Sequence, residues 1–344
     1  MTFVRDEIMH SFLDPAILFF AFGILAGCVK SNLEIPQQIS RFLSLYLLMA
    51  LGLKGGFALA QSGLTIEVAV SLGCAVLLAI VIPLLAYHLL KRKLAAFDAA
   101  AVAATYGSVS AVTFITATQY LDAQQIVYGG HMAAAMALME SPAIVIAVLL
   151  ANSIRQTAGH TVQLSGSGVA IAGGGAGSFQ RAGLGKLLHE SLTDGTQLLL
   201  LGAMAVGLLT GEAGKTALAP FSVDLFKGML AFFLLDMGLM TARNLGKLRG
   251  QSRWLLAYAA FAPVLHAGLA LGMATLLGLS AGNAALLMVL AASASYIAVP
   301  AALRYSIPEA SPSVYFSMSL GVTFPLNILV GIPVYTSVAL SVLG

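Results

Sequence analysis

Two short segments hold residues able to do chemistry in surroundings that otherwise do none. "YGSVSAVTF" (106–114) and "AASASYIAVPAALR" (291–304) each place two serines two residues apart, Ser108 with Ser110 and Ser293 with Ser295, inside long apolar runs. Tyr296 and Pro300 follow in the second segment. Proline lacks the amide a helix needs, and its ring would clash with the carbonyl of Tyr296 four residues back. Irregular backbone at membrane depth survives only where it lines a polar cavity or is buried in protein. Such a break offers two opposed chemistries at one point. The N-terminus of the second half-helix favours an anion, while freed carbonyls with Ser or Thr hydroxyls can ligate a cation such as Na⁺. The expected anion contacts are Gly107, Ser108, Val109, Ser110 and Ala111 at one break and Ser293, Ala294, Ser295 and Tyr296 at the other. Ser110, Thr113, Ser295, Ala298 and Thr323 are the expected sodium ligands. Small residues that let helices pack closely would explain one such segment. Two at the same depth point to transport.

The elements that must position these residues are membrane helices. Of 344 residues, 59% are hydrophobic and 9% charged, against about a quarter charged in an average soluble domain. Apolar runs able to cross a bilayer recur along the chain, at 12–28, 37–60, 65–90, 97–121, 126–152, 186–210, 219–243, 253–278, 281–305 and 312–342. The fold class expected is an all-α polytopic membrane protein of ten helices. The net charge of +3 comes from basic residues scattered through short loops, with no basic stripe for nucleic acid. The odd-numbered loops hold most of the lysines and arginines, among them Lys30, Lys91, Arg92, Lys93, Arg155, Arg243 and Arg253. By the positive-inside bias those loops are cytoplasmic and both termini lie outside; the membrane expected is a bacterial inner membrane. Cys28 and Cys74 both fall in apolar spans and suggest packing, with no disulfide framework. "ILAGC" (24–28) resembles a lipoprotein cleavage site, but Asp6, Glu7 and Asp14 contradict the basic leading region a signal peptide needs.

The Gly/Ser-rich segment 153–185 reads as a flexible linker dividing the spans five and five, residues 1–152 and 186–344. The halves match in order. Asp14 falls over Asp194, Gly27 over Gly207, Gly52 over Gly238, Ser108 over Ser293, Ser110 over Ser295 and Pro142 over Pro325. Five is odd, so the second copy must enter the membrane from the opposite face. The expectation is an inverted repeat whose two broken helices cross at midplane.

Lys54, Glu140 and Asp236 are the ionisable residues deepest in spans, and intramembrane charge is a functional candidate by default. Lys54 and Asp236 lie off-centre in opposite directions, so they are not expected to pair. Glu140 lies near midplane, within reach of Lys54 if their helices touch. A structural ion pair and a part in ion coupling are both open readings of these residues. His131 and His266 read as packing residues, since no second metal-ligand type stands at a suitable spacing. Asn327 could reach the cavity or simply bond between helices.

At these residues the sequence resembles the sodium-dependent bicarbonate transporter family first known from cyanobacteria. The likeness runs from about Leu33 to Tyr335 without the linker. It rests on "LGLKGG" (51–56), "YGSVSAVTF" (106–114), "MESPAIV" (139–145), "AASASYIAVPAALR" (291–304) and "IPEASPSVYFSMSLGVTFP" (307–325). The resemblance implies ten helices as two inverted five-helix repeats, a homotrimer, a core moving against a gate, and Na⁺-driven bicarbonate uptake. It also implies a small trimeric signalling protein as a possible regulator at the cytoplasmic face. Where cyanobacterial members read roughly "SSSDISGPP" this chain has "SASYIAVPA", so Tyr296 stands for an aspartate and Val299 for a glycine. The family's "GAVSGST" appears here as "GSVSAVT".

The function expected is Na⁺-coupled symport of a small anion, bicarbonate or another small carboxylate, with Na⁺ as coupling ion and no other cofactor. A cation/proton antiporter would need a carboxylate titrating in the cavity, with Glu140 and Asp236 as candidates. An intramembrane hydrolase would need Ser108 or Ser110 beside His131 or His266 and an oxyanion donor. That reading leaves the serine duplication unexplained, so no enzyme is expected.

Overall fold

The computed structural model describes residues 14–163 and 195–344, apart from positions 64 and 249. The glycine-rich part of the expected linker and the start of the second half, residues 164–194, lie outside the described residues. So do residues 1–13.

The described chain is helical throughout its regular structure. Helix α1 (Pro15–Cys28) begins where Asp14 accepts the Ala16 amide at 2.8 Å, with proline at the first helical position where a missing N–H costs nothing. Helices α2 (Gln37–Ser62) and α3 (Ile66–Leu90) follow, the latter capped by Thr65. The fourth span is two half-helices, α4 (Ala96–Gly107) and α5 (Ala111–Ala123), and α6 is Met132–Gln163. In the second half, α7 is Gly195–Ala219 and continues through a π-turn, Pro220–Asp224, into α8 (Leu225–Leu248). Then come α9 (Arg253–Leu277), the half-helices α10 (Ala281–Ala292) and α11 (Ala298–Ser306), and a final run Pro312–Leu343, here α12, with π-turns at Ser319–Thr323 and Asn327–Gly331.

Three expectations need correction. Residues 153–163 are not loop, because α6 stays helical to Gln163. Near its end, Arg155 donates to both carboxylate oxygens of Glu309 and to the Ser306 carbonyl, tying α6 to the segment after α11. That hydrogen-bonded guanidinium holds the Glu309 carboxyl below the usual carboxylate range. Spans six and seven are not separated by a loop. The chain turns back within α7 at Gly211, whose φ of +54° is a conformation glycine adopts without strain. Pro300 does not mark the second break. It lies in the first turn of α11, where its missing amide is harmless, and the irregular residues are Ser293–Ile297 before it.

Among the described residues seven helical stretches are long and apolar enough to cross a membrane, one of them the folded-back Gly195–Gly246. Pro15–Cys28 and Ala281–Ala292 are shorter apolar helices. The chain is a polytopic membrane protein.

The helices sort into two bundles. In one, α1 packs along α8 and α2 along α7; in the other, α3 packs with α4 and α6, and α10 packs with α9, α12 and α5. Both pairings in the first bundle rest on backbone contact at glycine, as close helix packing in membranes requires. A side chain on Gly238 would strike the Phe20 carbonyl, the Gly23 Cα and the Ile24 amide; one on Gly52 would strike the Leu200 carbonyl, the Ala203 Cβ and the Met204 amide.

Candidate functional site

Each break is built by its serines. In the first, α4 ends at Gly107, where a side chain would run into the ring of Pro83, and the Ser108 amide closes on the Ala104 carbonyl at 3.1 Å. Ser110 then caps α5, its Oγ accepting the Thr113 amide (3.2 Å) and the Thr113 hydroxyl (2.9 Å). In the second, the Ser293 amide and hydroxyl both turn back to the Leu290 carbonyl at 3.2 and 2.8 Å, and Ser295 Oγ accepts the Val299 amide at 3.2 Å.

The two breaks bond directly to each other. The Ser110 amide donates to Ser293 Oγ at 3.0 Å, and the Ser295 amide donates to the Thr105 carbonyl at 2.8 Å. Two irregular backbones buried in a membrane protein thereby satisfy part of one another's polar groups, which lipid would not.

The crossing forms one side of a cavity of about 60 Å³. By the same measure a single water needs only about 10 to 15 Å³, so this space has room for a small anion and a small cation side by side. Val109, Ser110, Ala111 and Val112 line it from the first break, and Ser295, Tyr296, Ile297 and Ala298 from the second. Met136 and Glu140 of α6 complete that wall. Ser44 and Leu48 of α2 with Thr196, Gln197 and Leu200 of α7 face them from the other bundle. The first residues of α5 and α11 are therefore in the wall, where helix N-termini favour negative charge. Glu140 brings a carboxylate, and its Oε2 accepts from Gln197 Nε2 of the opposite bundle at 3.0 Å. Tyr296 is 4% exposed, its ring edge-on to Phe324 at 5.0 Å and its hydroxyl donating to Met237 Sδ at 3.6 Å.

Of the expected residues, Val109, Ser110, Ala111, Ser295, Tyr296, Ala298 and Glu140 meet in this cavity, and the others stand elsewhere. Gly107 and Ala294 are buried in packing, and Ser293 is spent bridging the breaks. The Ser108 hydroxyl is buried without a partner. Thr113 supports the Ser110 cap from behind. Thr323 donates to the Ala259 carbonyl at 2.7 Å and meets the Tyr106 hydroxyl at 2.6 Å. Asp236 is buried against the Ser40 hydroxyl.

Lys54 does not pair with Glu140. Its Nζ lies 3.3 Å from Asp122 Oδ2, because α2 passes the far end of α5 at that level while Glu140 lies deeper, beside α7. Neither histidine is hydrogen-bonded to a break serine. His266 bonds to the Ala291 backbone, and His131 is buried with its Nε2 unpartnered. Asn327 donates to the Ala292 carbonyl at 2.8 Å, so it bonds between helices and does not line the cavity. No three His, Cys, Asp or Glu side chains among the described residues converge as a metal site.

Sequence reasoning missed Ser44, Thr196 and Gln197. A signal existed for the last two: under the repeat, "DGTQ" (194–197) falls over "DPAI" (14–17), so Thr196 and Gln197 are polar where the first half has Ala16 and Ile17.

The family model for the Na⁺-dependent bicarbonate transporter superfamily matches residues 15–340. No curated protein matches.

Proposed function

Because the chain belongs to the Na⁺-dependent bicarbonate transporter superfamily and is a transporter rather than an enzyme, we propose that it carries a small anion, bicarbonate first, together with Na⁺ by alternating access. One observation carries this reading: both breaks and the opposite bundle close around a single cavity of about 60 Å³ that holds two half-helix N-termini and one carboxylate.

Coupling follows from charge. An anion held at the N-termini of α5 and α11 shares the cavity with Glu140, and two like charges about 5 Å apart repel by about 3 kcal/mol at an effective dielectric of 20. A Na⁺ between them removes that repulsion, with the Glu140 carboxylate and hydroxyls such as Ser110 and Ser295 as its oxygen donors. Anion and cation then bind better together than apart, which is the thermodynamic content of symport. Movement divides at the same place. The bundle of α1, α2, α7 and α8 acts as gate and the bundle bearing the breaks as core. Few polar links, Glu140 with Gln197 among them, need exchange when one slides past the other.

The architecture proposed is ten crossings in two inverted five-helix repeats. It is supported by the glycine contacts, since Phe20, Gly23 and Ile24 around Gly238 correspond under the sequence repeat to Leu200, Ala203 and Met204 around Gly52. The fold-back at Gly211 separates crossings six and seven, and the joined half-helices supply four and nine. The orientation with termini outside rests on the basic loops, and placement in a bacterial inner membrane rests on the family resemblance. A homotrimer and a small trimeric regulator at the cytoplasmic face rest on the family resemblance.

A second reading, cation/proton exchange, draws on Glu140 alone, a carboxyl in the cavity able to carry a proton. Uptake of labelled bicarbonate, acetate and formate into vesicles holding the purified protein, under an imposed Na⁺ or pH gradient, decides between them. Uptake driven by inward Na⁺ and saturating with one small anion is expected. Anion-independent Na⁺ flux driven by a pH gradient would replace symport with exchange.

A further inference from the structure

A second and larger chamber, about 470 Å³, lies toward the end of the molecule away from the basic loops. One face of α2 lines both chambers in sequence: Ser44 and Leu48 border the small cavity, and Leu51, Lys54, Gly55, Ala58 and Gln61 border the large one. The other wall is shared in the same way, α5 giving Val112 to one and Phe114, Thr118 and Asp122 to the other, and α6 giving Met136 and Ala133. Between the chambers lie the buried side chains of Leu48, Leu51, Phe114 and Met136. The large chamber is thus a vestibule leading to the small cavity and closed off from it by an apolar constriction.

Lys54 sits one helical turn outside that constriction. Its side chain is 24% exposed and its Nζ lies 4.4 Å from the centre of the Phe226 ring on α8, so its own bundle holds the ammonium over an aromatic face. Asp122 belongs to the other bundle and is held there separately, Tyr128 donating to its Oδ1 at 3.0 Å. The bond between them is a single contact of 3.3 Å across the vestibule, not a bidentate clasp. Each partner keeps an anchor if the contact breaks. Lys215 is the other cation in this lining, but it is 47% exposed and pairs with Glu212 at 3.5 Å on its own helix.

We propose that Lys54 forms a first anion-binding site in this vestibule, separate from the cavity at the broken helices, and that Asp122 competes there with the incoming anion for the lysine. Its ligand class is the small monovalent anion, drawn to a partly desolvated ammonium just before the dry constriction. The proposal rests on the reading of this chain as an anion transporter. Asp122 as competitor keeps the site weak, so an anion can leave it for the cavity.

Two variants push in opposite directions if this is right. In reconstituted vesicles, Lys54→Met raises the external bicarbonate concentration for half-maximal uptake by about tenfold, the size of one lost charge-assisted contact. Asp122→Asn lowers it severalfold, and this gain vanishes in the double variant. Lys54→Arg, which keeps the charge, binds more tightly than Lys54→Met, so the loss in Lys54→Met follows the charge and not the fold. External nitrate competes with uptake by wild type and loses that effect in Lys54→Met. A pair acting only as a tie between the bundles predicts otherwise: Lys54→Met and Asp122→Asn shift uptake in the same direction and nitrate competition is unchanged. That result overturns the site. A wild type that takes up no small anion overturns the transport reading first and this one with it.

Discussion

The two breaks are cut to one sequence pattern and completed differently. At the end of α10, Ser293 covers the Leu290 carbonyl, His266 of α9 bonds at Ala291 and Asn327 of α12 covers the Ala292 carbonyl, with Tyr335 donating to Asn327 Oδ1 at 3.2 Å. Side chains from two neighbouring helices seal that end. At the end of α4, the Thr105 carbonyl is met by the Ser295 amide, and Ser108, the counterpart of Ser293, leaves its hydroxyl buried and unpartnered. One break is therefore braced from outside and the other leans on the first. A helix C-terminus in a membrane must find partners for its last carbonyls. Here the second half supplies polar side chains for the task, and the first uses the backbone of its partner.

The largest expected effect breaks the brace. Asn327→Leu strips the Ala292 carbonyl and the Tyr335 hydroxyl of their partner, and a buried polar group left unsatisfied costs about 1 to 3 kcal/mol. Thermal unfolding of the purified protein should fall by several degrees and surviving protein should drop. Anion affinity in the remaining folded fraction should change less. An unchanged melting temperature would mean that the brace is dispensable and the two breaks are equivalent after all.

Next comes the bridge. Ser293→Ala removes the acceptor of the Ser110 amide, an interaction that ties one break to the other and sets the position of the α5 cap. The expected outcome is about tenfold weaker substrate or Na⁺ binding, with a smaller loss of folded protein than in Asn327→Leu. Glu140→Gln tests the charge argument at the same cavity. The amide removes the repulsion that Na⁺ is proposed to relieve, so the variant should bind anion with reduced Na⁺ dependence. Uptake by Glu140→Gln that keeps the wild-type Na⁺ requirement would place the cation elsewhere.

The contrast between the breaks also explains what could be read without a structure. Serine, tyrosine and proline in the middle of an apolar run violate the pattern of a membrane helix, so both breaks were legible to within a few residues. The partner of Lys54 was not, because α2 and α5 belong to different bundles and nothing local says at what height they meet. Gln197 was hidden for a different reason. It stands three residues after Asp194, where a polar residue reads as an ordinary helix start, and only its mismatch with Ile17 sets it apart. Pro300 misled because proline breaks a helix from within but fits its first turn, and sequence alone does not say which side of the break it occupies.

The smallest expected effect is at Ser108, and it is the sharpest test of the comparison because its counterpart is predicted to matter. Ser108→Ala deletes a hydroxyl that is 1% exposed and has no hydrogen-bond partner. Removing a buried polar group that bonds to nothing relieves a desolvation cost, so stability should be unchanged or rise by about 1 kcal/mol. Uptake should be within about twofold of wild type, where Ser293→Ala is expected to lose about tenfold in binding. The hydrogen bonds support this order, since Ser293 holds the amide of Ser110, which lines the cavity, and the Ser108 hydroxyl holds nothing. Measuring melting temperature and the Na⁺ and bicarbonate dependence of uptake for both variants separates the possibilities. If Ser108→Ala folds normally and loses transport, the unpartnered hydroxyl is a ligand, and the first break carries the ion on the side away from the cavity.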